Sequence, residues 1–113
     1  MASAAIDRAF VALADGTRRA VVERLRHGPR RAGELAAELA VRAPTLTRHL
    51  RILREAQLVH EQVADDDARA RVYTLRRDAF AQLRTWVDGI EALWQEQLTA
   101  FAEHVHKRTG KAK

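Results

Sequence analysis

The segment RAPTLTRHLRIL, residues 42–53, places Arg42, Arg48 and Arg51 in a stretch that holds no carboxylate. A guanidinium is a planar fork of donors that fits a carboxylate, a phosphate or the edge of a guanine, and threonine adds a short hydroxyl and a methyl. Leu46, Leu50 and Leu53 recur at helical spacing, so this face of a helix seeks a core. The opposite face then carries Pro44, Arg48, Arg51 and Glu55, with Thr45 and Thr47 on its flanks. With no carboxylate inside the stretch to pair them, the arginines seek a partner outside it. His49 falls beside the leucine stripe, where a histidine hydrogen-bonded within the fold is expected rather than one that reads bases.

Other chemistries lack the residues they need. Ser3 is the only serine, cysteine is absent, and no glycine-rich loop could cradle a phosphate. No carboxylate pair shares a recognisable cleft with a histidine, so no enzyme is expected. His104 and His106 are two positions apart and leave a helix in different directions, unlike an i, i+4 metal pair. Neither a metal nor another cofactor is expected. The absence of cysteine also excludes disulfides, which fits a cytoplasmic protein, and no apolar run approaches the length of a membrane span.

The formal charge of +5 is unevenly spread. Lys107, Arg108, Lys111 and Lys113 place four of these charges in a C-terminal segment, residues 107–113, that is expected to be a disordered tail behind one domain spanning 1–106. Residues 18–31 carry Arg18, Arg19, Arg24, Arg26, Arg30 and Arg31 against Glu23, whereas Asp65, Asp66 and Asp67 form an acidic block. Such patches, more than the total, decide which partners a surface attracts.

The elements that must position these groups follow from periodicity and breakers. Ile6, Phe10 and Leu13 space the apolar face of a first helix. Asp15 is suited to cap a second, in which Val21, Val22 and Leu25 face inward, and Gly28–Pro29 ends it. AGELAAEL forms a short third helix with Leu35 and Leu39 inward. Only AVR separates it from the helix at 43–55, the arrangement of a helix-turn-helix. LVHEQVA and RARVYTL then read as two strands joined by the four-residue loop DDDA. From Asp78 a long helix carries Leu83, Trp86, Ile90, Leu93, Trp94, Phe101 and Val105 in one broad stripe, widened by Val87 and Leu98. The stripe is too wide for one small domain to cover, and pairing with a second copy is the simplest cover. The expected fold is therefore mainly α with a small β-hairpin, a winged helix-turn-helix in the order α-α-α-α-β-β-α.

The wording of three stretches, LADGTRRAVVERLRHGP, AGELAAELAVRAPTLTRHLRILREAQLV and RVYTL, resembles the ArsR-type (arsenic-repressor-like) transcriptional repressors, in the branch without metal-binding cysteines. The resemblance covers residues 6 to 101 and is most specific at Pro44, Thr45, Arg48, His49, Leu50 and Leu53. It implies a homodimer that binds an inverted-repeat operator in double-stranded DNA and represses. Helix 43–55 would enter the major groove, with Arg48 and Arg51 on base edges or phosphates and short contacts from Pro44, Thr45 and Thr47. Arg30, Arg31 and Arg42 would hold the DNA backbone, and Arg69 and Arg71 in the wing would touch it if the acidic tip bends away. Alternatively the aspartates pair with those two arginines. The family's dimer interface on the first and last helices suits Phe10, Trp86, Ile90, Leu93, Trp94 and Phe101. Neither the cysteine pair of the family's arsenic sensors nor the aspartate-histidine set of its zinc sensors is present, and an effector is not implied.

The sequence departs from the family where Arg31 and Arg42 replace serine caps, Gly16 replaces proline and Ala40 replaces the turn glycine. A second class of reading is a helical homodimer that uses the winged scaffold to bind another protein.

Overall fold

The computed structural model describes residues 3–111. Its elements are α1 (Ser3–Leu13), α2 (Gly16–Leu25), β1 (Arg30–Arg31), α3 (Ala32–Leu39), α4 (Ala43–Glu55), β2 (Val59–Val63), β3 (Arg71–Leu75) and α5 (Arg77–Lys111). They divide between a unit ending at Ala81 and a second unit that begins at Gln82 and contains most of α5.

In the first unit the leucine periodicity acts as expected. Leu46, Leu50 and Leu53 of α4 are buried together with Val21, Leu25, Leu35, Leu58, Val59 and Tyr73. Each such aliphatic side chain removed from water contributes about 2 kcal/mol, enough to lock the face opposite Arg48 and Arg51 inward. Helix α1 packs through its smallest residues. Its buried residues are Ala9 and Ala12, while Ile6 and Leu13 are half-buried and Phe10 is exposed. Alanine lets α1 lie close against its neighbours, which turns the bulkier Phe10 outward.

The expected hairpin is part of a three-stranded antiparallel sheet of order β1-β3-β2. Arg30 pairs with Tyr73 and Arg31 with Val72, while β2 and β3 run from Val59–Leu75 to Val63–Arg71. The strands end earlier than the four-residue loop implied, leaving residues 64–70 as the wing tip. There Asp67 accepts from the Arg69 amide at 3.0 Å and, through its carbonyl, from the Ala70 amide at 3.0 Å, forming a local turn.

Helix ends carry the departures from the family pattern. Gly28 adopts φ +134°, which closes α2 where a side chain would be strained. Ala40 sits in the left-handed region at φ 53°, ψ 44°, and the Val41 amide donates to the Ala36 carbonyl at 3.0 Å. This is a glycine-type helix stop built with a Cβ. Replacing Ala40 by glycine removes the left-handed penalty and returns some chain entropy to the unfolded state. The net expectation for Ala40→Gly is a gain of about 0.5 to 1 kcal/mol, read as a higher urea midpoint with an unchanged m-value. An unchanged or lower midpoint would mean that the turn relaxes around alanine at no cost.

In the second unit α5 continues to Lys111, so the segment expected to be disordered from residue 107 is helical as far as that residue. Lys107 and Arg108 complement the negative end of the helix dipole, and Thr109 Oγ1 donates to the Val105 carbonyl at 2.9 Å. Residues 112 and 113 lie outside the described residues. Among the described residues no helix is long and apolar enough to cross a membrane.

Candidate nucleic-acid interface

Helices α3 and α4 and their short turn form the expected helix-turn-helix. Arg31 and Arg42 stand at the two N-caps in extended conformation, and neither makes a side-chain cap. An arginine has no acceptor to offer the free amides of the first turn. At α3 only the reverse half of a capping box survives, with Glu34 Oε1 accepting from the Arg31 amide at 3.0 Å. At α4, Pro44 in the first turn needs no amide partner and is preset for helix. The amides left uncapped at both starts are donors toward solvent, beside an arginine each.

Along α4, Pro44, Thr47, Arg48, Arg51 and Glu55 are exposed and Thr45 is half-buried. Thr47 Oγ1 donates to the Ala43 carbonyl at 2.9 Å, so its hydroxyl keeps only acceptor capacity, and its methyl remains for apolar contact.

The arginines expected at the DNA separate into two groups. Among the described residues the guanidinium groups of Arg42, Arg48, Arg51 and Arg69 make no hydrogen bond or ion pair. The others are held. Arg30 donates to the Pro29 carbonyl at 2.9 Å and lies 3.7 Å from Glu38. Arg31 pairs with Asp66 at 2.5 Å. Arg71 lies 3.2 Å from Glu61, which also pairs with Arg54. This corrects the second alternative for the wing, because no aspartate carboxylate meets the Arg69 or Arg71 guanidinium among the described residues. The unexpected strand β1 runs beside β3 and brings Arg31 within reach of the tip instead. Asp66 belongs to the acidic block expected to face Arg69 and Arg71, whereas nothing in the spacing of Glu61 marks it as an arginine partner.

Two members of the basic run at 18–31 are structural. Arg18 donates through Nε to the Ala12 carbonyl at 2.6 Å and through Nη2 to that of Val11 at 3.2 Å, while Arg19 donates to that of Leu13 at 2.8 Å. Together they satisfy the free carbonyls that end α1. Arg18 Nη1 also donates to His49 Nδ1 at 3.3 Å, tying α1 to α4. His49 is thus bonded within the fold. Asp15 caps α2 as expected, accepting from the Arg18 amide at 3.0 Å, and lies 3.8 Å from His49 Nδ1.

The Arg18 amide holds the Asp15 carboxyl below its ordinary 3.8, against the desolvation that raises it and with help from the Arg18 charge. A lowered folded value means that the ionised cap stabilises fully above the unfolded value and is lost as pH falls below 3.8 through the folded value. Asp15→Asn keeps an acceptor but cannot titrate. Below pH 4 its melting temperature is expected to fall less steeply than that of the parent, and parallel curves would remove Asp15 from the acid transition.

Among the described residues no group of three or more histidines, aspartates and glutamates is placed to hold a metal ion. The surface that remains is a helix-turn-helix with unpaired arginines on its second helix.

Comparison with known proteins gives this geometry a family. A family model described as a helix-turn-helix domain matches residues 13–62. The HTH-type transcriptional regulator Rv2034 of Mycobacterium tuberculosis is 47% identical over 97 residues, which cover 86% of this chain and 85% of that protein. The crystal structure of the ArsR family transcriptional regulator RHA00566 aligns with a TM-score of 0.73 at 28% identity, over 82% of this chain and 93% of its own. The homodimeric winged helix-turn-helix DNA-binding domain of Mb0332 from Mycobacterium bovis shares the fold with a TM-score of 0.62 at 23% identity, over 79% and 82% of the two chains. Sequence identity, helix-turn-helix geometry and winged architecture agree: the chain belongs to the ArsR-type winged helix-turn-helix transcriptional regulators, which bind DNA and are not enzymes.

Proposed function

We propose that the protein is a homodimeric repressor that reads an inverted-repeat operator with α4 in the major groove. The observation that carries this reading is the exposed, unpaired set Arg42, Arg48 and Arg51 on a helix whose other face is anchored by Leu46, Leu50 and Leu53. Arg48 and Arg51 address base edges. Arg42, with the uncapped amides beside it, addresses phosphate, and Thr45 and Thr47 add short contacts. Arg69 is free for the backbone, whereas Arg30, Arg31 and Arg71 are already held and contribute only by exchanging partners.

Pairing is supported by α5. Val87, Ile90, Trp94, Leu98, Phe101 and Val105 follow one another at steps of 3, 4, 4, 3 and 4 residues, a mean of 3.6, and all are exposed. That mean equals the helix period, so the stripe runs straight for about 27 Å. Trp86 and Leu93 widen it, and on α1 Phe10 and Val11 are exposed. Apolar surface of this extent is covered in water, and a second copy covers it symmetrically. A two-fold dimer presents two copies of α4 to half-sites about one DNA turn apart, and its seating denies the duplex to other proteins.

Selection of bound duplexes from a random pool tests the reading. The face offers arginine for guanine and the threonine methyl for thymine, with no asparagine or glutamine for adenine. Paired half-sites anchored by G and T are expected, with affinity falling steeply as salt rises. Adenine-driven motifs without guanine dependence, or binding indifferent to salt, would overturn it.

A further inference from the structure

A groove of about 560 Å³ opens between the first turn of α3, Thr47 of α4 and the wing, and Arg31, Arg69 and Arg71 line it. Arg71 is held by Glu61, and the Arg69 guanidinium is unpaired among the described residues. Arg31 is met by Asp66, which reaches from the wing tip, 35 residues away in sequence, to set Oδ1 2.5 Å from Nη2. We infer that this groove is a seat for a DNA phosphate and that Asp66 occupies its Arg31 side in the free protein as an internal substitute, which the duplex must displace. The inference rests on the DNA-binding reading above and goes beyond it in naming an opposing group.

The three neighbouring aspartates do different things, which separates this arrangement from simple repulsion by an acidic tip. Asp67 shapes the turn through its bond to the Arg69 amide. Asp65 makes no hydrogen bond or ion pair among the described residues. Only Asp66 reaches an arginine across the groove. A carboxylate and a phosphodiester each carry one negative charge and offer a guanidinium similar acceptor oxygens, so either one satisfies Arg31. The Asp66 side chain is 75% exposed and that of Arg31 39%, which makes the pair weak enough to open. An exchange of this kind lowers affinity for every duplex equally, since it involves no base. It therefore holds down binding where only the backbone is touched, while an operator recovers the loss through Arg48 and Arg51.

The test is a set of four variants, Asp66→Asn, Asp65→Asn, Arg31→Ala and Arg31→Ala with Asp66→Asn, in the full chain. Each is titrated against a fixed non-specific duplex by fluorescence anisotropy across a salt series. Asp66→Asn is expected to tighten binding about three- to five-fold per protomer, and Asp65→Asn by less than about two-fold. The slope of log affinity against log salt is expected to steepen for Asp66→Asn, because in the parent the carboxylate freed from Arg31 takes up cations and offsets part of the counterion release. In the Arg31→Ala background, Asp66→Asn should add no more than Asp65→Asn adds to the parent. Equal gains from the two single asparagine variants would overturn the exchange in favour of general repulsion and leave the DNA reading intact. Weaker binding by Asp66→Asn would make the carboxylate a positive determinant and overturn it likewise. Failure of the parent to bind any duplex at the lowest salt would overturn the DNA-binding reading and the exchange with it.

Discussion

Replacing Arg48 by alanine is expected to abolish operator binding while leaving the dimer folded. Arg48 is exposed on α4 and makes no hydrogen bond or ion pair among the described residues, so its loss removes no internal contact. A bidentate arginine–guanine contact is worth about 1 to 3 kcal/mol, and a symmetric dimer makes it twice. The combined loss of about 2 to 6 kcal/mol corresponds to an affinity lower by roughly 30-fold to more than 10⁴-fold. A mobility-shift titration on the selected operator measures it, with the thermal melt as the control for folding. The residual affinity should resemble that for an unrelated duplex, since phosphate contacts from Arg42 survive. Unchanged affinity would move the reading surface off the α4 face.

The second large effect is expected at Trp94, which is 60% exposed in the single protomer. Glutamate there costs the isolated chain little, because water reaches the position. In a dimer closed over the α5 stripe the same carboxylate is buried without a partner, at a cost of about 3 to 5 kcal/mol. Sedimentation equilibrium on Trp94→Glu should therefore report folded monomers at concentrations where the parent is dimeric. Operator affinity should fall with it, because a monomer engages one half-site. A dimer that persists unperturbed would place the interface on another surface.

The parts of this molecule that were legible in the sequence are those that depend on local periodicity. The Leu46, Leu50 and Leu53 stripe, the Asp15 cap and the Gly28 stop each follow from neighbours within one or two helical turns, and the structure shows them as expected. Strand β1 was not legible. Two consecutive arginines carry no alternation, and they become a strand only because β3 supplies its outer edge. The inward residues of α1 were not legible either, because Ala9 and Ala12 are too small to stand out in an apolar pattern, yet they allow the close approach. The candidate site was half legible. Its unpaired arginines on α4 could be found by the absence of nearby acids. The held ones could not, since Arg31 finds Asp66 and Arg71 finds Glu61 through pairings of the sheet that are distant in sequence. Arg18 was hidden for the same reason, with acceptors on α1 and on α4.

That last residue has a mechanical consequence. One rigid guanidinium holds the Ala12 carbonyl at 2.6 Å, the Val11 carbonyl at 3.2 Å and His49 Nδ1 at 3.3 Å. The second helix of the helix-turn-helix is therefore tied at His49 to the corner between α1 and α2. A lysine could not span the same three acceptors, since its single ammonium lacks the fork. Under the proposed reading, which letters are read and how far apart the two half-sites stand would therefore rest on different residues. The first would belong to Arg48 and Arg51 and the second in part to Arg18, which would leave the spacer of an operator and its spelling free to change separately.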